Sequence, residues 1–367
     1  MFTLFFFIQD LLGSLRWNHS VKVCYAYKCF AYFFNYKGEN KKSIFKVLCE
    51  VEKISFFWRC FPDMYFKMSM FTSEWRDLDI MKSFVPQAAF YRIEERLDKR
   101  YNMLIDDKVV FHDLMNYYHI PVPHVFFLLK DNHLFSPDQV EEYTEEQVNK
   151  LLSEIKENRI FVKRYSGGEA TSVFVFEKHN GSFYDGANMV DAHYIKMKYK
   201  NEKFFFEQQI HQHEILNMLN PDTVNTTRVL ASFDSHQDAK IYSATLRVGR
   251  KGSYVDNAAQ GGISIPVDLS TGTLGKYGVM MYSPVKYEKH PDSQCEFSII
   301  TMPHWDKVIN VVKKVLRTLP PFMYVGFDIA ITQDGPVITE INTGSGMFLS
   351  QAGRERGLGK RFICEKN

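Results

Sequence analysis

Two carboxylates and an amide lie near the end of a strongly apolar stretch, in positions from which they could bind a metal ion. Asp328 belongs to the first of two apolar runs, Glu340 and Asn342 belong to the second, and the turn signal Gln333-Asp334-Gly335 separates them. Residues two apart in a strand share a face, and a three-residue loop would place Asp328 opposite Glu340. Clustered acids repel unless a cation joins them, and oxygen ligands suit Mg²⁺. The sequence therefore predicts a magnesium site, with an ordinary solvent-facing hairpin as the alternative.

A lysine-bearing strand that runs into a glycine turn is a second candidate site. Lys163 lies in the apolar run Ile160–Arg164, and Ser166, Gly167 and Gly168 follow it. Backbone N–H groups of such a loop can cradle phosphate, and a lysine in the preceding strand supplies a fixed positive charge. A plain hairpin loop is the alternative interpretation. The Walker pattern GxxxxGK(S/T), the dinucleotide pattern GxGxxG and the zinc pattern HExxH do not occur in the sequence.

Two arginines inside apolar runs are candidates for binding an anionic substrate. Arg228 follows Asn225-Thr-Thr, and Arg247 lies in Leu246-Arg-Val-Gly, with Asn257 a short distance further along the chain. The guanidinium fork matches carboxylate and phosphate oxygens bidentately. Structural ion pairing is the alternative for each arginine.

The elements that would position these residues alternate short strands with helices. Helical spacing of apolar residues runs through residues 1–100, notably at 44–60 and 77–97, and recurs at 107–118, 141–158 and 305–319. The alternation indicates an α+β chain on antiparallel hairpins rather than a parallel doubly wound sheet. The predicted strands are Ile160–Arg164, Ser172–Glu177, Lys203–Glu207, Thr227–Phe233, Ile241–Val248, Met323–Thr332 and Val337–Asn342.

Composition excludes several classes of protein. With 367 residues, 45% of them hydrophobic and 24% charged, the chain is globular and long enough for two or three domains. A net charge of +2 gives no sign of a nucleic-acid partner. No apolar run approaches the roughly 20 residues that cross a bilayer, and Met1–Ile8 lacks the features of a signal peptide. The six cysteines contain no CxxC pair, so we expect a reducing, cytoplasmic compartment.

The first hundred residues differ from the rest of the chain. They contain fifteen of the 32 phenylalanines and carry 16 basic against 11 acidic residues. One interpretation is a helical domain that packs on the remainder of the protein. The other is a basic, Phe-rich face that contacts the inner side of an anionic membrane or a membrane-bound glycosyltransferase.

The motifs, in their order along residues 100–360, resemble the ATP-grasp superfamily of carboxylate–amine ligases. The similarity is greater to the sugar-transfer-associated ATP-grasp branch. This resemblance implies two α+β lobes with antiparallel sheets that clasp ATP, at residues 101–207 and 208–367, preceded by a helical N-terminal domain at 1–100. The motifs that carry it are Asn225-Thr-Thr-Arg228, Leu246-Arg247-Val-Gly, Val255-Asp-Asn257 with Gly261-Gly262, and Gly326-Phe-Asp328 with Glu340-Ile-Asn342.

The resemblance also implies a role for each position that matches the family. It implies two Mg²⁺ ions on the three oxygen ligands of the hairpin, and a loop after Lys163 that closes over the nucleotide. The implied metal ligands are Asp328, Glu340 and Asn342. The implied ATP-binding residues are Lys108, Lys163, Ser166, Gly167, Gly168, Glu207, Gln209 and Ile210, the last three at an interlobe hinge where main-chain groups pair with adenine. The implied catalytic residues, which hold phosphates and the acyl intermediate, are Arg228, Arg247 and Asn257.

One position departs from the pattern of D-alanine ligase relatives. Many of them have an arginine two residues before the first metal aspartate, and this chain has Gly326 there. We therefore expect Arg228 and Arg247 to supply the positive charge.

The expected activity is an ATP-dependent ligase that forms a C–N bond and converts ATP to ADP and phosphate. The expected substrates are an amine and the carboxylate of a small molecule or glycan precursor, such as a sugar acid, with no nucleic-acid partner. Two alternatives remain open: a small-molecule kinase, and a non-catalytic nucleotide-binding partner of a sugar-transfer assembly.

Overall fold

The computed structural model describes residues 19–94, 102–165, 173–233, 238–253, 255–319 and 324–359, without the side chains of 19–25 and 103. The predicted phosphate loop at Ser166, Gly167 and Gly168 lies outside the described residues. In the part of the chain that is described, no helix is both long enough and apolar enough to cross a membrane.

Residues 19–94 are mainly helical, as predicted, and the remainder of the predicted helical domain at 1–100 lies outside the described residues. The predicted helix at 44–60 is present, with the Ser43 hydroxyl accepting a hydrogen bond from the Lys46 N–H at its start. The predicted helix at 77–97 is interrupted, because Pro86 cannot continue a helix and disfavours helical geometry in the residue before it. The helices are α1 His19–Asn35, α2 Ile44–Trp58, α3 Asp63–Lys67, α4 Leu78–Ser83 and α5 Gln87–Glu94.

The first lobe contains an antiparallel sheet of eight strands in the order β3-β2-β1-β8-β4-β5-β6-β7. Asn180 and Gly181 both have positive φ at the tight turn between β5 and β6, as the favoured two-residue hairpin requires. The strands are β1 Val125–Lys130, β2 His133–Phe135, β3 Glu142–Tyr143, β4 Arg159–Arg164, β5 Val173–His179, β6 Ser182–Asp185, β7 Asn188–Met189 and β8 Lys203–Gln208.

Helices α8 Glu145–Glu154 and α9 Ala192–Lys198 pack on this sheet, whereas α6 Met103–Asp106 and α7 Lys108–Tyr117 lie between the two sheets and contribute Ile105, Phe111 and Met115 to the core of the second. The Asp107 carboxylate caps α7 by accepting from the N–H groups of Val109 and Val110. Helix α8 is shorter than the predicted 141–158, because a capping box of Thr144 and Gln147 starts it after β3.

The second lobe contains an antiparallel sheet of seven strands in the order β13-β12-β11-β10-β9-β14-β15. Its strands are β9 Thr227–Phe233, β10 Ala239–Val248, β11 Ile263–Val267, β12 Gly278–Val279, β13 Lys286–Tyr287, β14 Val325–Ile331 and β15 Pro336–Asn342. Its helices are α10 Glu214–Asn217, α11 Trp305–Thr318 and α12 Met347–Gln351, with a 3-10 turn at Ala258–Gln260. All paired strands in both sheets are antiparallel, so the predicted α+β class is confirmed.

The N-terminal helices share a hydrophobic core with the second lobe. Phe90 of α5 packs edge-on against Tyr324, with ring centroids 5.6 Å apart. The Gln87 side chain accepts a hydrogen bond from the Met347 N–H at 2.7 Å, and the Gln351 amide is bonded to both backbone groups of Val85. These buried contacts hold the helices against α12.

Candidate functional site

A cavity of about 360 Å³ lies between the two sheets. Helix α7 and strands β4 and β8 of the first lobe line one side, and strands β9, β10, β14 and β15 of the second lobe line the other. Its charged residues are Lys108, Lys163, Glu207, Arg228, Arg247, Asp256, Asp328 and Glu340, with His112 on α7.

The β14–β15 hairpin pairs Asp328 directly with Glu340, as the sequence predicted. The register differs from the predicted three-residue loop, because Thr332 donates its N–H to the Gly335 carbonyl at 2.9 Å across a tighter turn. A β-bulge at Thr339 adds one residue to β15 and restores the pairing of Asp328 with Glu340. The Thr339 hydroxyl donates to the Asp328 carbonyl at 3.1 Å. Bulges are common beside active sites, where they redirect side chains.

Asp328 forms a buried, bidentate ion pair with Arg228. The two residues lie opposite each other on β14 and β9, and the Arg228 Nε and Nη2 atoms are 2.5 and 2.9 Å from the Asp328 carboxylate oxygens. The Arg247 Nη1 atom is 3.5 Å from the same carboxylate. Arg247 also bonds to Asp256 at 2.9 Å and to the Thr226 hydroxyl at 2.6 Å.

Gly326 explains how Arg228 reaches Asp328. A Cβ added at Gly326 would lie 2.5 Å from the Ser345 Oγ and 3.1 Å from the Arg228 Cδ. The missing side chain leaves room for Arg228 to cross β14. Arg228 and Arg247 both bring their positive charge to Asp328.

On the first lobe, a buried glutamate joins a lysine and a histidine. The Glu207 carboxylate lies 2.5 Å from the Lys163 Nζ and 3.1 Å from the His112 Nε2. Across the cavity, the Lys108 Nζ lies 3.8 Å from the Glu340 Oε1. Lys108 and Glu340 therefore connect the two lobes across the site.

The electrostatic environment shifts the pKa values of Asp328 and Glu340 in opposite directions. Burial alone would raise the pKa of Asp328, but the charges of Arg228 and Arg247 outweigh it and hold that pKa below its ordinary value. Burial and the nearby Asp328 charge raise the pKa of Glu340, against the opposing effect of Lys108. Burial likewise lowers the pKa of Lys108. A further cation beside Glu340 would therefore stabilise the charged form of this carboxylate.

The hairpin residues fit a magnesium ion by their chemistry. Two carboxylates and the Asn342 amide meet at one end of the cavity, and the Asn342 Nδ2 atom is 3.5 Å from the Asp328 Oδ2. Each carboxylate oxygen has a second lone pair, so Asp328 can accept a metal ion while it remains bonded to Arg228. In the described ranges, no group of three or more His, Cys, Asp and Glu side chains is placed to hold a metal, so a site here depends on the amide as its third ligand.

The structure brings most of the predicted site residues together around this cavity. Gln209 does not line the cavity, and its Oε1 is buried without a hydrogen-bond partner among the described residues. The predicted residues that line it are Lys108, Lys163, Glu207, Ile210, Arg228, Arg247, Asn257, Asp328, Glu340 and Asn342.

Several polar residues of the cavity were not predicted, among them His112, Asp256 and Thr226. His112 gives no sequence signal of its role, because its partner Glu207 is 95 residues away. Asp256 and Thr226 lie inside motifs that were recognised, beside Asn257 and Arg228. Their polar side chains within those motifs are the signal that could have identified them.

Comparison with solved structures finds ATP-grasp proteins at low similarity. An ADP complex of N5-carboxyaminoimidazole ribonucleotide synthetase has a TM-score of 0.41 and 11% identity, over 72% of this chain and 52% of that one. N5-carboxyaminoimidazole synthase from Aspergillus clavatus, in complex with ADP and 5-aminoimidazole ribonucleotide, has a TM-score of 0.39 and 10% identity, over 71% and 51%. D-alanine–D-alanine ligase from Coxiella burnetii has a TM-score of 0.35 and 13% identity, over 66% and 49%. The chain spans about half the length of these structures, and similarity at this level does not bear on activity.

Comparison with families is decisive, although no curated protein matches the chain. The sequence matches the family described as sugar-transfer-associated ATP-grasp over residues 91–365. That match includes both sheets and every residue that lines the cavity. The chain belongs to the sugar-transfer-associated ATP-grasp family.

Proposed function

We propose that this chain is an ATP-dependent carboxylate–amine ligase that acts through an acyl phosphate. Its substrates would be a sugar acid or polysaccharide precursor and an amino acid or other amine. The observation that carries the proposal is the convergence of Asp328, Glu340 and Asn342 with Lys108 and Arg228 on one cavity between the two sheets.

The charges around the cavity support a requirement for metal ions. Each of its four cationic side chains faces a carboxylate, so the site without nucleotide is close to neutral. ATP brings about four negative charges, which the protein side chains alone would leave uncompensated. The four pairs are Lys108–Glu340, Lys163–Glu207, Arg228–Asp328 and Arg247–Asp256.

Asp328, Glu340 and Asn342 would hold Mg²⁺. When bound, Mg²⁺ neutralises phosphate charge and polarises phosphoryl oxygens. Arg228 fixes the Asp328 carboxylate through two hydrogen bonds, so this ligand is positioned before nucleotide arrives. The Lys108 Nζ lies 3.8 Å from the Glu340 carboxylate, which is too long for a good hydrogen bond. Lys108 can therefore leave that carboxylate and bind a phosphate oxygen of ATP.

The reaction needs no nucleophilic side chain from the protein. The substrate carboxylate attacks the γ-phosphorus and the bond to the ADP oxygen breaks. The amine then attacks the acyl carbon, phosphate leaves, and the amine loses a proton. The described residues that line the cavity include no Ser or Cys, in keeping with catalysis by positioning and electrostatic stabilisation.

Lys163 and the segment after β8 would hold the rest of the nucleotide. Glu207 and His112 fix the Lys163 ammonium at the cavity wall. Ile210 lines the cavity, and in the described structure the backbone N–H groups of Gln209 and Ile210 have no hydrogen-bond acceptor. These groups are available to the edge of an adenine ring, and Phe161 and Phe205 supply apolar surface nearby.

Nucleotide binding is tested with Glu340→Gln, which preserves shape and removes one charge. We expect Mg²⁺ with a non-hydrolysable ATP analogue at 100 times its Kd to stabilise the wild type by about 2.7 kcal/mol. The Gln variant should lose most of that stabilisation. Glu296→Gln, which removes an exposed partner of Lys289, is the matched control and should behave as the wild type. Equal stabilisation of all three proteins would refute the metal assignment.

The type of reaction is tested by trapping with hydroxylamine. An acyl phosphate reacts with hydroxylamine to give a hydroxamate, whereas the phosphomonoester made by a kinase does not. We expect hydroxamate and ADP in equal amounts from ATP and a panel of uronic acids. A stable phosphorylated product would identify a kinase, and stabilisation by nucleotide without turnover would identify a binding protein.

We further propose that α2 contacts an anionic membrane at the cytoplasmic face. Phe45, Leu48 and Phe56 are exposed on one face of this helix, where half-buried Glu52 also lies, and exposed Lys46 and Lys53 flank that face. We expect the wild type to co-sediment with vesicles containing phosphatidylserine, and the double variant Phe45→Ser/Phe56→Ser to remain in the supernatant. Equal behaviour of the two proteins would refute membrane contact by this face.

A further inference from the structure

A second cavity, of about 320 Å³, lies between the N-terminal helices and the second lobe. The segment between α3 and α4 forms one wall, and β12, β13 and the chain after α12 form the others. It shares no lining residue with the first cavity.

Arg354 brings a poorly compensated positive charge to this cavity. Its Nε and Nη2 atoms donate to the backbone carbonyls of Ser350 and Ala244 at 3.3 and 2.9 Å. Within the described residues, no carboxylate lies within 4 Å of the guanidinium, although Asp77, Glu355 and Glu74, the last paired with Lys286 at 3.4 Å, also line the cavity. Burial lowers the pKa of Arg354, and only the distant Asp268 opposes that effect.

Arg354 therefore retains unused hydrogen-bonding capacity. A guanidinium has five N–H donors in a planar fork, and two of those of Arg354 have acceptors in the described structure. A half-buried guanidinium whose remaining donors lack a carboxylate is suited to an anionic ligand.

Two aromatic rings line the same cavity. Trp75 and Tyr277 are both half-buried, and the Lys286 Nζ lies 6.0 Å from each ring centroid. The Trp75 indole N–H has no acceptor in the described part of the chain, whereas the indoles of Trp58 and Trp305 both donate to backbone carbonyls. Two aromatic rings, one of them with a free indole N–H, suit a ligand that has both an apolar face and hydroxyl groups.

The backbone holds Arg354 and Tyr277 side by side. Gly353 has a φ of +68°, and a Cβ there would lie 2.8 Å from the Tyr277 carbonyl oxygen and 2.7 Å from the Pro266 Cδ. Further along, the Gly357 N–H donates to the Ser83 hydroxyl at 2.8 Å and ties this segment to α4. The cavity is thus built from elements that are fixed to one another.

We propose that this cavity binds a sugar acid, with the carboxylate on the Arg354 fork and the sugar ring against Trp75 and Tyr277. The choice of a sugar acid rests on the proposed function, whereas the anion and ring chemistry rests on the cavity alone. Leu349 of α12 lines the first cavity, and five residues of chain span at most about 18 Å. A sugar acid bound at Arg354 therefore lies one short helix from the candidate nucleotide site.

The test measures binding of D-glucuronate by saturation-transfer NMR and calorimetry, without turnover. We expect saturable binding to the wild type, and at least tenfold weaker binding of D-glucose and of D-glucuronamide, which lack the negative charge. Arg354→Gln should weaken glucuronate binding at least tenfold, and Trp75→Leu should weaken it as well. Arg250→Gln, which removes an arginine paired with Asp292 away from both cavities, should leave it unchanged.

Several outcomes would overturn the assignment. They are no saturable binding of glucuronate to the wild type, equal binding by Arg354→Gln, and displacement of glucuronate by inorganic phosphate at equal concentration, which would indicate a general anion site. Stabilisation by Mg²⁺ and the ATP analogue shows that Arg354→Gln is folded. Glu340→Gln should still bind glucuronate, so failure of the nucleotide site and failure of this cavity are distinguishable.

Discussion

Burial should decide how much the Arg228–Asp328 pair contributes to stability, and the chain provides a matched comparison. Arg250 and Asp292 form a pair of the same bidentate geometry, with contacts of 2.7 and 2.9 Å. The side chains of Arg228 and Asp328 are 8% and 5% exposed, whereas those of Arg250 and Asp292 are 37% and 24% exposed. The two pairs therefore differ mainly in their access to water.

The expected loss of stability follows from the charge of Asp328, which stays buried when Arg228 is replaced. Removing one partner of a buried pair typically costs 3–5 kcal/mol, because the other charge stays buried without compensation. Arg247 remains 3.5 Å from Asp328 and compensates part of that charge. We therefore expect Arg228→Met to lower the free energy of unfolding by about 3 kcal/mol, at the low end of the range. Arg250→Met should lower it by less than about 1 kcal/mol.

Urea denaturation followed by circular dichroism gives both values from the shift of the midpoint at a common m-value. The double variant Arg228→Met/Asp328→Asn removes both charges and should recover at least about 1.5 kcal/mol of the loss. A loss below about 1 kcal/mol for Arg228→Met, or a loss equal to that of Arg250→Met, would refute the reasoning from burial.

Three further predictions test individual parts of the structure. Burial and the Asp328 charge raise the pKa of Glu340, so the folded protein loses stability as the pH rises from the ordinary pKa of glutamate through the raised one. Glu340→Gln should therefore raise the Tm of the ligand-free protein at pH 7–8. Thermal melts across pH should show that this gain vanishes below the ordinary pKa of glutamate. Mg²⁺ competes with a proton for Glu340, so its affinity, measured by calorimetry, should increase with pH over the same window, and a constant affinity would contradict the role of Glu340. Gly353→Ala places a Cβ at positive φ against Pro266 and should lower the free energy of unfolding in urea by more than about 1 kcal/mol. Gly186→Ala is the control, because Gly186 also has a positive φ but a Cβ there meets no neighbour. It should lower the free energy of unfolding by less.

Local patterns were sufficient to predict much of the second lobe. Short apolar runs located β9, β14 and β15, and apolar residues at helical spacing located α11, each within about two residues. The strand β1 was missed, because its run of buried apolar residues, like any short apolar run, cannot be distinguished from a buried helical segment by periodicity alone. Pro86 and the Thr144 capping box likewise set helix ends that apolar spacing alone did not resolve.

The pairing of Asp328 with Glu340 was predicted correctly, but the three-residue loop on which that prediction rested was wrong. The turn is tighter than predicted, and the bulge at Thr339 compensates by one residue. A bulge depends on the neighbouring chain as much as on its own residues, so the sequence of the hairpin does not specify it.

By itself, the sequence determined the carboxylates and the amide of the hairpin, the lysine and arginine positions, and the family, because the period of a strand and short motifs are local properties of the chain. Only the tertiary structure decided which polar groups meet: Arg228 with Asp328 at a separation of 100 residues, Glu207 with His112 at 95, and Gln87 with Met347 at 260. The periodicity of a strand shows which face a residue occupies but not which distant residue lies across from it. The partners of the buried charges, and the second cavity with its arginine, therefore exist only once the helices and the two sheets have packed together.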